Sequence, residues 1–409
     1  MKAKSTTPAI LCALVASVAS LSTGALASDP VESSLDNAFA NLEETVLGKF
    51  NLNIRTRYEY FRTPAMQRKG FSQRLRYGYT TPSFEGFNAM IEGETLYAFN
   101  GSDEIHPLDQ AGRGTELNQL WIQYSNTDYG SVKLGRQIYF LDDHRFVGHV
   151  GWRQNIQTFD AVTARFTGVD NFALNAFYLD RVKRVDSSGA DMDSYGINAS
   201  YQFAPAFKLT GFAYRFDFDR FAAWSNDTVG VRLTGTADLA ESKLNYAFSY
   251  AHQTDNSGSG NRDFSLDYFA GDIGVTFFGL TLGGGFELLE GDGAEGFRTP
   301  LATVHAFSGY ADKFLPIAGF PQGLDDRYVY VGYRLPVGNG IPLRAAYHWF
   351  SPENGPGGYG TEFDLMASYV INKYFNVIAK YGSYRPDSDA VGVGIGKKDM
   401  FTFELNFTY

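Results

Sequence analysis

Phe50-Asn51-Leu52-Asn53-Ile54-Arg55-Thr56-Arg57-Tyr58-Glu59-Tyr60 alternates between two unlike sets of side chains. In an extended chain successive side chains point to opposite sides. Phe50, Leu52, Ile54, Thr56, Tyr58 and Tyr60 therefore share one face, while Lys49, Asn51, Asn53, Arg55, Arg57 and Glu59 share the other. Three cations and a carboxylate facing away from a wholly apolar or aromatic surface suit a strand with lipid on one side and water on the other. The alternation recurs to Tyr409. It predicts an all-β fold, a transmembrane antiparallel β-barrel, with residues 46–409 as one barrel domain.

Composition agrees. Mean hydropathy is −0.23, and beyond residue 27 no run of 18 apolar residues exists, so no transmembrane helix is predicted. The 26 Tyr and 35 Phe fit aromatic rings at two membrane interfaces. The 44 Gly fit many strands joined by tight turns.

Residues 1–27 read as a signal peptide: Lys2 and Lys4, a mostly apolar stretch Ile10 to Leu21, then Ala25-Leu26-Ala27 as the cleavage site. Cys12, the one cysteine, falls in that segment, so no disulfide or cysteine metal site is expected in the processed chain. Export followed by barrel insertion implies the outer membrane of a Gram-negative bacterium, with the bilayer and the barrel-assembly machinery as partners. Residues 28–45 carry Asp29, Glu32, Asp36, Glu43 and Glu44 without a base. They form an acidic periplasmic N-terminal leader, either flexible or folded into a short helix or plug, since Leu35, Phe39 and Leu42 have helical spacing. The net charge of −10 argues against nucleic acid as a partner.

From residue 46 the sequence gives about eighteen strand candidates, an even count as single-chain bacterial barrels require. Short connections such as Pro82–Glu85 and Thr127–Tyr129 alternate with long ones such as Asn100–Thr115, Phe140–Gln154 and Gly291–Asp325. That rhythm predicts short periplasmic turns and long extracellular loops. A barrel of this size is too wide for side chains to fill, so a water-filled lumen is expected.

The chemistry sits on the inward face. Arg55, Arg57, Arg74 and Arg76 place four guanidinium groups on two adjacent strands, and the guanidinium fork matches carboxylates and phosphates. Glu92 and Glu94, with Glu404, Glu362 and Asp364, also read as inward. The arginines therefore either guide anions or brace the barrel against those carboxylates. Alanine at Arg74 and Arg76 cuts anion preference in the first case and leaves the reversal potential unchanged in the second.

No enzyme chemistry is legible. The six histidines form no metal-binding pair at i, i+4, and Ser257-Gly258-Ser259-Gly260 reads as a loop tip rather than a nucleophile elbow. Gly392-Val393-Gly394-Ile395-Gly396 lacks the spacing of a phosphate-binding turn. Gly283–Gly285 reads as strand curvature or crowding, and Glu290-Gly291-Asp292-Gly293 as a solvated turn or a surface calcium site. No cofactor or metal is expected.

Three segments carry a resemblance: Gly135-Arg136-Gln137 followed by Leu141 to Gly148; Gly151 to Asn155 with Gln157 to Ala161; and Phe297 to Phe307 running into Gly309 to Phe314. These resemble the alginate-export family of outer-membrane barrels. The resemblance implies an 18-stranded monomeric barrel passing a uronate polysaccharide through an arginine-rich pore closed by loops. It further implies that loop Phe140–Gln154 folds inward and that Arg136, Arg145 and Arg153, with Arg74 and Arg76, line the pore or its constriction. The Asp142-Asp143 pair reads either as part of that constriction or as a turn. The expected function is a passive channel for anionic solutes, including acidic oligo- or polysaccharides, narrowed by the third and seventh extracellular loops. The alternatives are a general diffusion porin and an occluded adhesin or structural barrel.

Overall fold

The computed structural model describes residues 48–99, 104–256, 263–390 and 392–409. The predicted signal peptide with Cys12, the acidic leader, and the 257–260 loop tip lie outside the described residues. Eighteen strands follow one another: β1 (Lys49–Arg62), β2 (Gln67–Thr80), β3 (Phe87–Ala98), β4 (Gly114–Asn126), β5 (Gly130–Gln137), β6 (Thr158–Val169), β7 (Phe172–Lys183), β8 (Gly189–Ala204), β9 (Phe207–Phe216), β10 (Asn226–Leu239), β11 (Ser242–Thr254), β12 (Ser265–Phe277), β13 (Leu280–Leu289), β14 (Leu324–Leu335), β15 (Ile341–Ser351), β16 (Gly360–Val370), β17 (Phe375–Pro386) and β18 (Lys398–Thr408). A short helix, α1 (Pro107–Ala111), sits between β3 and β4.

Each strand pairs antiparallel with its sequence neighbours, and β1 closes on β18 from Asn53↔Thr408 to Arg62↔Asp399. Closure removes the sheet edges, and only a closed sheet or a helix satisfies backbone polar groups in lipid. The expected strand count holds. The turns at one end are as short as Asp170–Asn171 and Phe278–Gly279. With the chain entering at β1 from the periplasm, these are periplasmic turns, and the long loops 138–157 and 290–323 are the third and seventh extracellular ones.

The alternation that predicted the strands sorts their side chains. Phe50, Leu134, Ile197, Leu282 and Phe403 are exposed on the outside. Inside, Arg57, Glu94, Phe159, Phe216 and Glu362 are buried. Gly283 and Gly285 give the crowding read from their sequence. Added Cβ atoms would meet the rings of Tyr330 and Tyr328, the latter hydroxyl at 2.5 Å.

One feature departs from a simple water-filled tube. Phe159, Phe177, Leu179, Phe212, Tyr214 and Phe216, on the inner face of β6, β7 and β9, join Leu141 and Val147 of the third loop and Phe297, Leu301 and Phe314 of the seventh in one buried apolar cluster. The extracellular half of the lumen is therefore packed by two inward loops.

Candidate functional site

β1 and β2 deliver Arg55, Arg57, Arg74 and Arg76 to the inner wall by simple alternation, and all four are buried. What they hold is the backbone of the third loop. Arg55 Nη1 donates to the carbonyls of Gly151 at 2.9 Å and Arg153 at 3.1 Å, while its Nε donates to Asn406 Oδ1 at 3.0 Å. Arg57 donates to Glu404 Oε1 at 2.7 Å and to the Trp152 carbonyl. Arg74 reaches the Gln154 carbonyl at 3.4 Å and the Asn53 side chain. Arg76 pairs with Glu94 at 2.5 Å, and Glu92 accepts from Asn51, Asn118 and Gln119. The loop answers with its own arginines. Arg153 pairs with Glu59 at 2.8 Å and Asp109 of α1 at 3.5 Å, and Arg145 pairs with Glu287 at 2.7 Å. Asp143 bonds the Arg145 amide, as a turn residue does, and also pairs with Arg232 at 2.5 Å.

Arg55, Arg57, Arg74 and Arg76 are turned inward and buried beneath the third loop. They reach loop carbonyls, the carboxylates Glu404 and Glu94, and the side-chain oxygens of Asn406 and Asn53. Arg136 departs from the pore-lining role implied for it. It sits on the sheet side of Leu134 and opposite Leu120, both exposed outward. Its guanidinium grips Asp160 with two bonds of 2.7 Å.

The seventh loop docks in the same way. Tyr310 N donates to Asp364 Oδ2 at 3.0 Å and Ala311 N to Glu362 Oε1 at 2.5 Å, so two inward carboxylates of β16 grip its tip. Gly309 makes that approach possible: its φ is +84°, and a Cβ would lie 2.4 Å from Glu362 Oε1. The two loops meet where His305 stacks on Trp152, centroids 3.5 Å apart. Arg57 and Arg153 stand over the same indole at 4.8 and 4.7 Å.

His305 Nδ1 lies 2.8 Å from Asp312. Burial pulls the His305 imidazole down to about 4 despite the nearby Asp312 carboxylate. Burial alone would raise Asp312, but His305, Lys398 and Arg153 outweigh it and hold the carboxyl at about 2. An undocked His305 would titrate near its ordinary value of 6.5. Between 6.5 and about 4 the released loop thus binds more protons than the docked one, so docking weakens as pH falls through that window. The loss reaches about 2 kcal/mol at pH 5. Current noise from loop opening should grow on acidification from pH 7 to pH 5. A flat noise spectrum over that range would refute the docking role of neutral His305.

Below the loops the wall changes character. Lys133, Arg165, Lys208, Lys243, Arg334 and Arg344 lie at inward positions of six strands, in the middle and periplasmic half of the barrel. None makes an ion pair among the described residues. Lys133 stands over Trp121 at 4.3 Å and Arg344 over Tyr330 at 4.2 Å. Around them come Asn175, Ser200, Thr234, Thr276 and Ser368, while Asp238, opposite Lys243, is the inward carboxylate of the periplasmic rim. The inward acids Asp272, Asp326 and Asp364 stand higher and are engaged. Asp272 accepts from Tyr328 and Tyr330 at 2.9 and 3.0 Å, and His348 bridges Asp326 and Asp364. Sequence reading missed the cations because they come one per strand, with no local cluster. The available signal was their inward parity near the periplasmic strand ends.

The alginate-export family model matches residues 47–289, more than half of the chain. No curated protein sequence matches it. Among solved structures the chain is similar to Pseudomonas aeruginosa OpdK, crystallised with vanillate, with TM-score 0.71 at 13% identity over 89% of this chain and 100% of that one. It is also similar to P. aeruginosa OpdO (TM-score 0.69, 14% identity, 89% and 97% coverage) and Acinetobacter baumannii OccAB4 (TM-score 0.69, 13% identity, 88% and 97% coverage). At such identities these neighbours establish the fold, a closed barrel of the porin type. With its match running through thirteen of those strands, β1 to β13, the inward third loop included, the chain belongs to the alginate-export family and is a porin-like channel of the Gram-negative outer membrane.

Proposed function

We propose that the channel passes small anionic solutes, acidic oligosaccharides among them, by passive diffusion. The cationic wall below the loops carries the selectivity, not the arginine cradle. The observation behind this reading is the set of six inward cations that form no ion pair among the described residues, with Asp238 as the inward carboxylate of the periplasmic rim. In a low-dielectric tube, fixed charge of one sign raises the local concentration of the opposite ion. The vanillate in the OpdK structure is an aromatic carboxylate, consistent with an anionic cargo in a barrel of this shape. A buried apolar cluster between the loops favours small solutes over a long polymer. The same reading takes the barrel as a monomer inserted by the assembly machinery.

Proteoliposome swelling tests it. Di- and oligouronates should enter faster than neutral oligosaccharides of equal size. Equal rates would favour a general diffusion porin, a reading to which the acids around the seventh loop lend weight. Absence of any swelling would favour an occluded structural barrel.

A further inference from the structure

The outward face of the barrel is charged at one end only. In the periplasmic half of the described strands, no outward position carries Asp, Glu, Lys or Arg. Phe50, Phe87, Tyr124, Phe203 and Phe207 stand there instead, exposed. Towards the extracellular ends the outward positions fill with charge, mostly in cross-strand pairs. Arg136–Asp160 joins β5 to β6, Arg181–Asp191 joins β7 to β8, and Arg385–Asp399 joins β17 to β18, each with a shortest contact of 2.7 Å. Arg215–Asp227 joins β9 to β10 at 3.3 Å, and Arg327 holds Asp325 on β14 at 2.8 Å. The Arg327 and Arg385 side chains remain 73% and 51% exposed.

Cations on a lipid-facing strand cost about 2–4 kcal/mol at the bilayer midplane and little at the interface, so this belt marks the outer headgroup level. Its alternating signs have a matching partner chemistry. Guanidinium forks bind phosphate in two-point fashion, and carboxylates ligate divalent cations. A headgroup layer of phosphates cross-linked by divalent cations presents both.

We propose that this rim docks a phosphorylated, divalent-cation-bridged glycolipid of the outer leaflet, arginines taking phosphates and aspartates sharing the bridging cations. The site is separate from the lumen, so it holds or fails independently of the transport reading.

The test compares thermal unfolding of the purified barrel in phosphatidylethanolamine vesicles without and with lipopolysaccharide and magnesium. The wild-type midpoint should rise with lipopolysaccharide, and the rise should vanish with EDTA or with enzymatically dephosphorylated lipopolysaccharide. The triple variant Arg181→Ser, Arg327→Ser, Arg385→Ser should bind lipopolysaccharide about tenfold more weakly at unchanged single-channel current. An equal rise with the dephosphorylated glycolipid, or full binding by the triple variant, overturns the proposal. Should the triple variant fail to insert, the dephosphorylated probe on the wild-type barrel still decides.

Discussion

Replacing Arg57 with alanine is expected to destabilise the barrel by about 3–5 kcal/mol, raise its conductance and leave its reversal potential almost unchanged. Arg57 is fully buried, with its guanidinium between Glu404 at 2.7 Å and the Trp152 carbonyl, and it stands over the Trp152 ring. Truncation leaves the buried Glu404 carboxylate and the Trp152 carbonyl only their longer Arg55 contacts, at 3.4 and 3.5 Å, in a site closed to water, and an under-compensated buried charge is the costly outcome. The third loop then loses its central anchor, since Arg55 and Arg74 hold mainly the carbonyls beside it and Arg55 reaches the Trp152 carbonyl only at 3.5 Å. A loosened loop opens cross-section. Lysine at position 57 should recover part of the stability, because a point charge can reach Glu404 but lacks the fork that also serves the loop. Unfolding midpoints in detergent and single-channel currents read both effects. Lost anion preference at unchanged conductance would instead mean that solute touches Arg57.

The second large effect belongs to the lower wall. Reversing Lys208, Lys243 and Arg334 to glutamate should convert an anion-preferring channel into a cation-preferring one. Each residue is inward, on β9, β11 and β14, and none is held in an ion pair among the described residues. Reversal therefore leaves no orphaned carboxylate; the Asn339 carbonyl that Arg334 serves at 3.2 Å is exposed and can turn to water, so the barrel should fold with near-normal stability, as surface charge changes usually permit. The change in selectivity should be strongest in dilute salt, since screening acts over about 10 Å at 0.1 M but only about 3 Å at 1 M. A folded triple variant with unaltered selectivity would show that those cations do not govern the path.

Much of the fold was legible because lipid and water impose opposite demands on adjacent residues. Lys49–Arg62 announces its two faces within a dozen positions, and the same signal gave the number of strands that close the barrel. The inward third and seventh loops followed from the resemblance and from their length. The meaning of the arginines was less legible. Alternation tells which way Arg55 and Arg57 point but not what waits there, and their partners lie in Gly151–Gln154, far along the chain. Arg136 shows the converse. Its parity with Val132 and Leu134 was on the page and places it outside, whereas the family resemblance had assigned it to the pore. The selectivity candidates were obscured by dispersion, since closure of the barrel, not sequence proximity, gathers Lys133, Lys208 and Arg334.

The reversal potential across a potassium chloride gradient at low ionic strength, measured on the wild-type barrel and the Lys208, Lys243, Arg334 glutamate triple in parallel, tests the central claim most directly. Chloride preference in the wild type and potassium preference in the triple is the predicted result. The same chloride preference in both, or none in the wild type, would contradict it.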